Sequence, residues 1–116
     1  MKVAIHQPNY IPWLGFFYKI LNCDTFVILD NVQYTKDSIQ NRNKIKSSKG
    51  ELLLTVPVLT KGKFAQITNE VLINNNDNWR KKHWAGIYQN YVKAVYFDDF
   101  ALFFVEIYKK DCRKLT

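Results

Sequence analysis

Val3-Ala4-Ile5-His6-Gln7-Pro8-Asn9-Tyr10-Ile11-Pro12-Trp13-Leu14-Gly15-Phe16-Phe17 is the stretch whose reading decides the fold. Val3, Ala4 and Ile5 form a short apolar run of strand formers, while Trp13, Leu14, Phe17, Tyr18 and Leu21 recur at helical spacing after two prolines. Strand, loop and helix follow in that order. Pro12 suits the first turn of the helix, where its missing N–H would have no intrahelical partner. Asn22 and Asp24 end the helix, and Thr25-Phe26-Val27-Ile28-Leu29-Asp30 is a continuous apolar run of the kind found in sheets covered on both faces. Two strands joined by a helix make a βαβ unit. The expected fold class is therefore α/β, a small, mostly parallel sheet with flanking helices in a Rossmann-like, three-layer arrangement.

Working outward, the segment from Asn31 to Gly50 is polar and reads as a long loop, a feature that in compact domains usually has a function. Leu52-Leu53-Leu54-Thr55-Val56-Pro57-Val58 is the next expected strand, with Pro57 at its exit, and Glu70 to Ile73 a further one. Asn74-Asn75-Asn76-Asp77 offers N-caps for a helix carrying Trp79, His83, Ile87 and Tyr91 on one stripe. A final helix starts on an Asp98 cap. Its stripe of Phe100, Phe103, Phe104, Ile107, Tyr108, Cys112 and Leu115 runs to the last residue without a stop signal, so the expectation is a single domain over residues 1–116 that forms the N-terminal part of a larger one.

At 116 residues, with 47% hydrophobic and 16% aromatic content, the chain can bury a core. No apolar run approaches the ~18 residues of a membrane-spanning helix, and Met1-Lys2 leads too directly into Val3 for a secretion signal, so a cytoplasmic protein is expected. Cys23 and Cys112 are far apart and read as plain thiols. The balance of 17 basic against 10 acidic residues, a net charge of +7, favours an anionic partner. The basic residues are scattered between Lys36 and Lys114 rather than gathered in one arm, which argues against nucleic acid.

Two constellations carry candidate chemistry. The first is His6-Gln7-Pro8-Asn9-Tyr10, placed where open α/β sheets bind ligands, at a strand's carboxyl end before a helix start. A phosphate or carboxylate could rest on the helix N-terminus while His6 exchanges a proton. The competing reading has His6 and Asn9 merely bonding the turn backbone. The second is Gln33-Tyr34-Thr35-Lys36 with Asn41-Arg42-Asn43-Lys44, which follows the second strand and should emerge on the same face. There Arg42 can grip a phosphate with two hydrogen bonds, Lys44 adds a point charge, and Asn41 and Asn43 can recognise hydroxyls or amides. Its alternative is a solvated basic loop. Thr60-Lys61-Gly62-Lys63 lacks the glycine spacing of a phosphate-cradling loop. Arg80 and Lys81 read as the wet face of a helix, and His83 as a core histidine. Two histidines without neighbouring carboxylates argue against a metal site, and no cofactor is evident beyond a possible nucleotide.

With these residues in view, the chain resembles the WbqC-like protein family of bacteria, whose genes often lie among those for surface-polysaccharide assembly. The resemblance rests on Val3 to Phe17, Leu29-Asp30-Asn31-Val32-Gln33-Tyr34, Gln40 to Lys46, Leu54 to Val58 and Asn78-Trp79-Arg80-Lys81-Lys82-His83. Members of that family are about twice this length. The resemblance implies a transferase acting on sugar or aminoacyl-type groups, and with the two basic constellations the expectation is a transferase of lipopolysaccharide or O-antigen biosynthesis acting on a phosphorylated or nucleotide-linked small molecule. A fainter similarity to nucleotidyltransferases, which carry H-x-G-H at the first helix start, meets Trp13-Leu14-Gly15-Phe16 here. The glycine is kept and both histidines are absent, so only the architecture is carried over. On this view His6 transfers protons, Gln7, Asn9 and Tyr10 orient the substrate, Gln33, Tyr34, Asn41 and Asn43 help to bind it, and Arg42 and Lys44 neutralise its charge. The runner-up is a non-catalytic basic binding module for nucleic acid or an assembly partner.

Overall fold

The computed structural model describes all of residues 1–116. Strand β1 (Val3–His6) is followed by helix α1 (Leu14–Leu21) and strand β2 (Thr25–Ile28). β1 and β2 pair in parallel, with Val3 opposite Thr25 and His6 opposite Ile28, so the expected βαβ unit is present. Parallel neighbours need a crossover, and α1 supplies it. The helix docks through buried Phe16, whose ring meets the edges of Phe26 at 5.2 Å and His6 at 5.1 Å.

Two details of this unit differ from expectation. Pro12 stands before the Trp13 N-cap, outside the first turn. The chain must first reverse at Ile11, which has a φ of 46°, a region costly for a β-branched residue. Nor is β2 covered on both faces, because the sheet stops at two strands and α1 covers one side, leaving Ile5, Val27 and Ile28 exposed.

The stretch expected as loop from Asn31 to Gly50 is partly strand. Strand β3 (Arg42–Ser47) pairs antiparallel with β4 (Gly50–Thr55), Ile45 facing Leu52 and Lys44 facing Leu53. Only alternate β3 side chains turn inward, and one of them is Asn43, so the apolar signal on which the strand reading depends is nearly absent. Gly50, at φ 113°, closes the hairpin in a conformation that disfavours any Cβ. The two pairs form separate sheets, one parallel and one antiparallel. The fold is thus a small mixed α/β domain, and the expected mostly parallel, three-layer arrangement is not formed.

Beyond β4 the chain passes through buried Val56 to a 3₁₀ turn at Thr68–Glu70. The strand expected at 70–73 consists only of isolated bridges, Ile73 to Val58 and Leu72 to Lys114. Helix α2 (Trp79–Tyr91) buries Trp79, His83 and Ile87, the stripe its spacing predicts. Helix α3 (Phe97–Lys109) is capped at Tyr96, with Asp98 and Asp99 in its first turn, where the helix dipole favours them. It ends at Lys109, not at Leu115. Arg80 donates to the Lys110 carbonyl and faces Asp111, and the tail runs extended along residues 71–73, with Ile73 N–H donating to Arg113 O and Leu115 N–H to Val71 O.

Two small buried clusters result: Ile45, Leu54 and Ile87 in one, and Val56, Ile73 and Trp79 in the other. Tyr10 and Tyr108 pack against both. The radius of gyration, 15.5 Å, exceeds the ~13 Å of a compact chain of this length, and α3 buries none of its residues fully. No helix is long and apolar enough to cross a membrane.

Candidate functional site

The loop after β1 is held against β3 by side-chain amides. Tyr10 N–H donates to the Ile39 carbonyl at 3.0 Å, and Asn43 Nδ2 donates to the Ile11 carbonyl at 2.7 Å. Gln40 Nε2 donates to Gln7 Oε1 at 3.1 Å, while Gln40 Oε1 accepts the Thr35 N–H at 3.4 Å. Asn41 Nδ2 donates to the Val56 carbonyl at 3.1 Å. The first loop and the 40–43 segment therefore converge, as their shared side of the sheet predicts. Much of their amide content is spent on bracing each other.

A cavity of about 790 Å³ opens beside this junction, within the range of small-molecule sites. Asn9 and Tyr10 line it from the first loop, Tyr108 from α3, and Arg80, Arg113 and Lys114 from α2 and the tail. An entirely apolar recess of about 420 Å³ adjoins it, with Ile11 and Phe104 lining both. Arg80 is engaged by Asp111 at 3.5 Å, whereas Lys110, Arg113 and Lys114 make no ion pair. The cavity is therefore electropositive.

Behind its wall lies a chain of hydrogen bonds. His83 Nε2 is 3.1 Å from the Thr55 carbonyl, which can only accept, so Nε2 carries the proton and Nδ1 is left as the acceptor. Tyr10 Oη donates to that Nδ1 at 2.7 Å, and Tyr108 Oη bonds to Tyr10 Oη in turn. Burial holds the His83 pKa below its ordinary value, partly offset by the Thr55 bond. Burial, the facing Tyr108 oxygen and the bond between them push the Tyr10 pKa well up, and burial also raises that of Tyr108. At neutral pH the chain is uncharged: two protonated phenols ending on a neutral imidazole whose Nδ1 lone pair accepts the Tyr10 hydroxyl.

The other sequence candidates lie elsewhere. The ring of His6 donates from Nδ1 to the Gln7 carbonyl at 2.7 Å and packs on Phe16, outside the cavity. Arg42 sits on β3, 3.8 Å from Asp37, and Lys44 is tied to Glu51 at 2.5 Å on the exposed face of the hairpin. Neither lines the cavity. Gln33 bridges to Ile67 through its backbone, and Tyr34 borders a different recess. The residues that sequence reasoning passed over are His83, set aside as core, Tyr108, read as part of an apolar stripe, and Arg80 with the basic tail. The motif Asn78 to His83 was the available signal for two of them. No cluster of three or more His, Cys, Asp or Glu side chains is present to hold a metal.

A profile of the WbqC-like protein family matches residues 7–116. The chain belongs to this family. Among curated proteins, an uncharacterized protein of Mycobacterium tuberculosis is 46% identical over 110 residues, covering 95% of this chain and 47% of the relative. This WbqC-like chain thus spans about half the length of that relative. No solved structure matches it.

Proposed function

We propose that this WbqC-like chain binds a phosphorylated or nucleotide-linked small molecule in the Tyr10–Tyr108 cavity and serves a group-transfer reaction in bacterial surface-polysaccharide biosynthesis. The observation that supports this most is the coincidence, around one cavity, of an uncharged hydroxyl chain and cations without an ion pair. Lys110, Arg113 and Lys114 suit phosphate oxygens. Tyr108 Oη can accept the proton of a substrate hydroxyl as its own passes to Tyr10 and the Tyr10 proton passes to His83 Nδ1. The oxygen so bared attacks the group being transferred, and the cations stabilise the charge on the departing phosphate. This reading moves proton transfer from His6 to His83, and charge neutralisation from Arg42 and Lys44 to the tail.

The test is calorimetric titration of ATP and of a nucleotide-sugar into the full chain and into Arg113→Gln/Lys114→Gln. Loss of charge-assisted hydrogen bonds should weaken binding roughly tenfold or more. Equal affinity for the two proteins would sink the assignment. A nucleic-acid module, by contrast, would lose affinity steeply with added salt, whereas a pocket holding one small ligand should change little.

A further inference from the structure

A second recess lies apart from the cavity and shares no lining residue with it. Its volume is about 410 Å³, and Tyr34, Lys36, Thr60, Lys61, Lys63 and Gln66 border it. Tyr34 N–H donates to the Gln66 carbonyl at 2.8 Å, and Gln33 bridges Ile67, so the 60–66 loop is folded back onto the segment that follows β2. Within the loop, Lys63 N–H closes a turn on the Thr60 carbonyl at 3.1 Å. Residues more than thirty positions apart in sequence are thereby brought together.

Two features of this recess lack a partner inside the protein. The first is charge. None of Lys36, Lys61 and Lys63 makes an ion pair, and no carboxylate borders the recess; Asp37, whose charge is felt by Tyr34, faces Arg42. Collecting three ammonium groups in one hollow is unfavourable unless an anion joins them. The second is hydrogen bonding. Tyr34 is only 8% exposed and its hydroxyl has no partner, nor has the amide oxygen of Gln66. Buried phenols normally find an acceptor, because an orphaned one loses its hydrogen bonds to water without replacement. A ligand offering several acceptor oxygens answers the charge and gives the Tyr34 hydroxyl an acceptor, while the Gln66 amide oxygen, itself an acceptor, can be met only by a donor.

We propose that this recess is a second anion site, which takes the di- or triphosphate group of a small molecule. Ammonium groups serve phosphate oxygens as point charges, and Tyr34 and Thr60 add neutral donors. The lining offers little apolar surface beyond the Tyr34 ring and Ala65, which suits a phosphate chain and not a base or an acyl group. Gln40 links the two sites, because the amide that holds Gln7 beside the cavity also receives the N–H of Thr35, next to Tyr34 and Lys36.

Sodium tripolyphosphate, titrated calorimetrically into the full chain carrying Arg113→Gln/Lys114→Gln, isolates the recess from the cavity. One site should remain in that background. Adding Lys61→Gln/Lys63→Gln, both on an exposed loop, should abolish it, and adding Tyr34→Phe should weaken it about tenfold, the effect of one hydrogen bond to a charged group. Because the Tyr34 hydroxyl is unpartnered, Tyr34→Phe should not lower the melting temperature without ligand, which separates loss of binding from loss of fold. Absence of binding in the background, or binding indifferent to Lys61→Gln/Lys63→Gln, would overturn the proposal. So would a single-stranded oligonucleotide that binds tighter than tripolyphosphate with a steep salt dependence. Because the cavity is already weakened in this background and does not contain Lys61, Lys63 or Tyr34, a response to those substitutions reports on this site and not on the cavity.

Discussion

Removing one oxygen atom tests the hydroxyl chain directly. In Tyr10→Phe the ring keeps its packing against both buried clusters, while the hydroxyl that serves His83 Nδ1 and Tyr108 Oη is lost. Tyr108 lines the cavity, so water can replace its partner there at little cost. His83 is 5% exposed and has no such recourse, since its Nδ1 would be left buried and unpaired. An orphaned buried group costs about 1–3 kcal/mol, so ~2 kcal/mol is expected, nearly all of it from His83. For 116 residues at about 2.1 cal/mol/K each, the unfolding entropy is ~0.24 kcal/mol/K, and the melting temperature should fall by roughly 8 °C. Urea unfolding gives the free energy. A double-mutant cycle with His83→Leu should return a coupling above ~0.5 kcal/mol, as expected of groups in contact. If Tyr10→Phe costs less than ~0.5 kcal/mol and adds independently to His83→Leu, the bond is not made and the relay fails with it.

Two other outcomes follow from particular side chains. The His83 pKa is lowered in the fold from 6.5, so the unfolded chain binds the proton more readily; the stability this contributes is present above pH 6.5 and is lost as pH falls below it toward the folded value. The stability difference between the wild type and His83→Gln, measured from pH 5 to 8, should therefore shrink on acidification, and a flat difference would contradict the assignment. Leu102 and Phe103 on α3 are 70% and 63% exposed, so Leu102→Glu/Phe103→Lys should change stability by less than about 0.5 kcal/mol per site while reducing self-association in sedimentation velocity. A large drop in melting temperature would mean that this face is packed in solution.

How much was legible in the sequence differs from element to element. The parallel β1–α1–β2 unit and the buried face of α2 could be read from spacing, because their apolar residues recur with the period of the element that buries them. Strand β3 could not. Arg42, Asn43, Lys44 and Lys46 lie between Gln40 and Ser47 with Ile45 as the single apolar residue, and strand identity there comes from pairing with β4, a partner local periodicity does not register. The α3 stripe misled in the opposite sense. Cys112 and Leu115 keep the helical phase, but contacts of Arg80 with Lys110 and Asp111 pull the tail out of the helix.

The sequence by itself determined family membership, the charge and the strand, loop and helix that place Asn9 and Tyr10 beside the cavity. Tertiary structure alone decided what faces those two residues. Tyr10, His83 and Tyr108 lie 73 and 98 residues apart along the chain, and Lys36 meets Lys61 and Lys63 only because the 60–66 loop folds back. Hydrogen bonds and charge clusters act over a few ångströms of space, and a linear pattern records no distance between segments brought together only by folding.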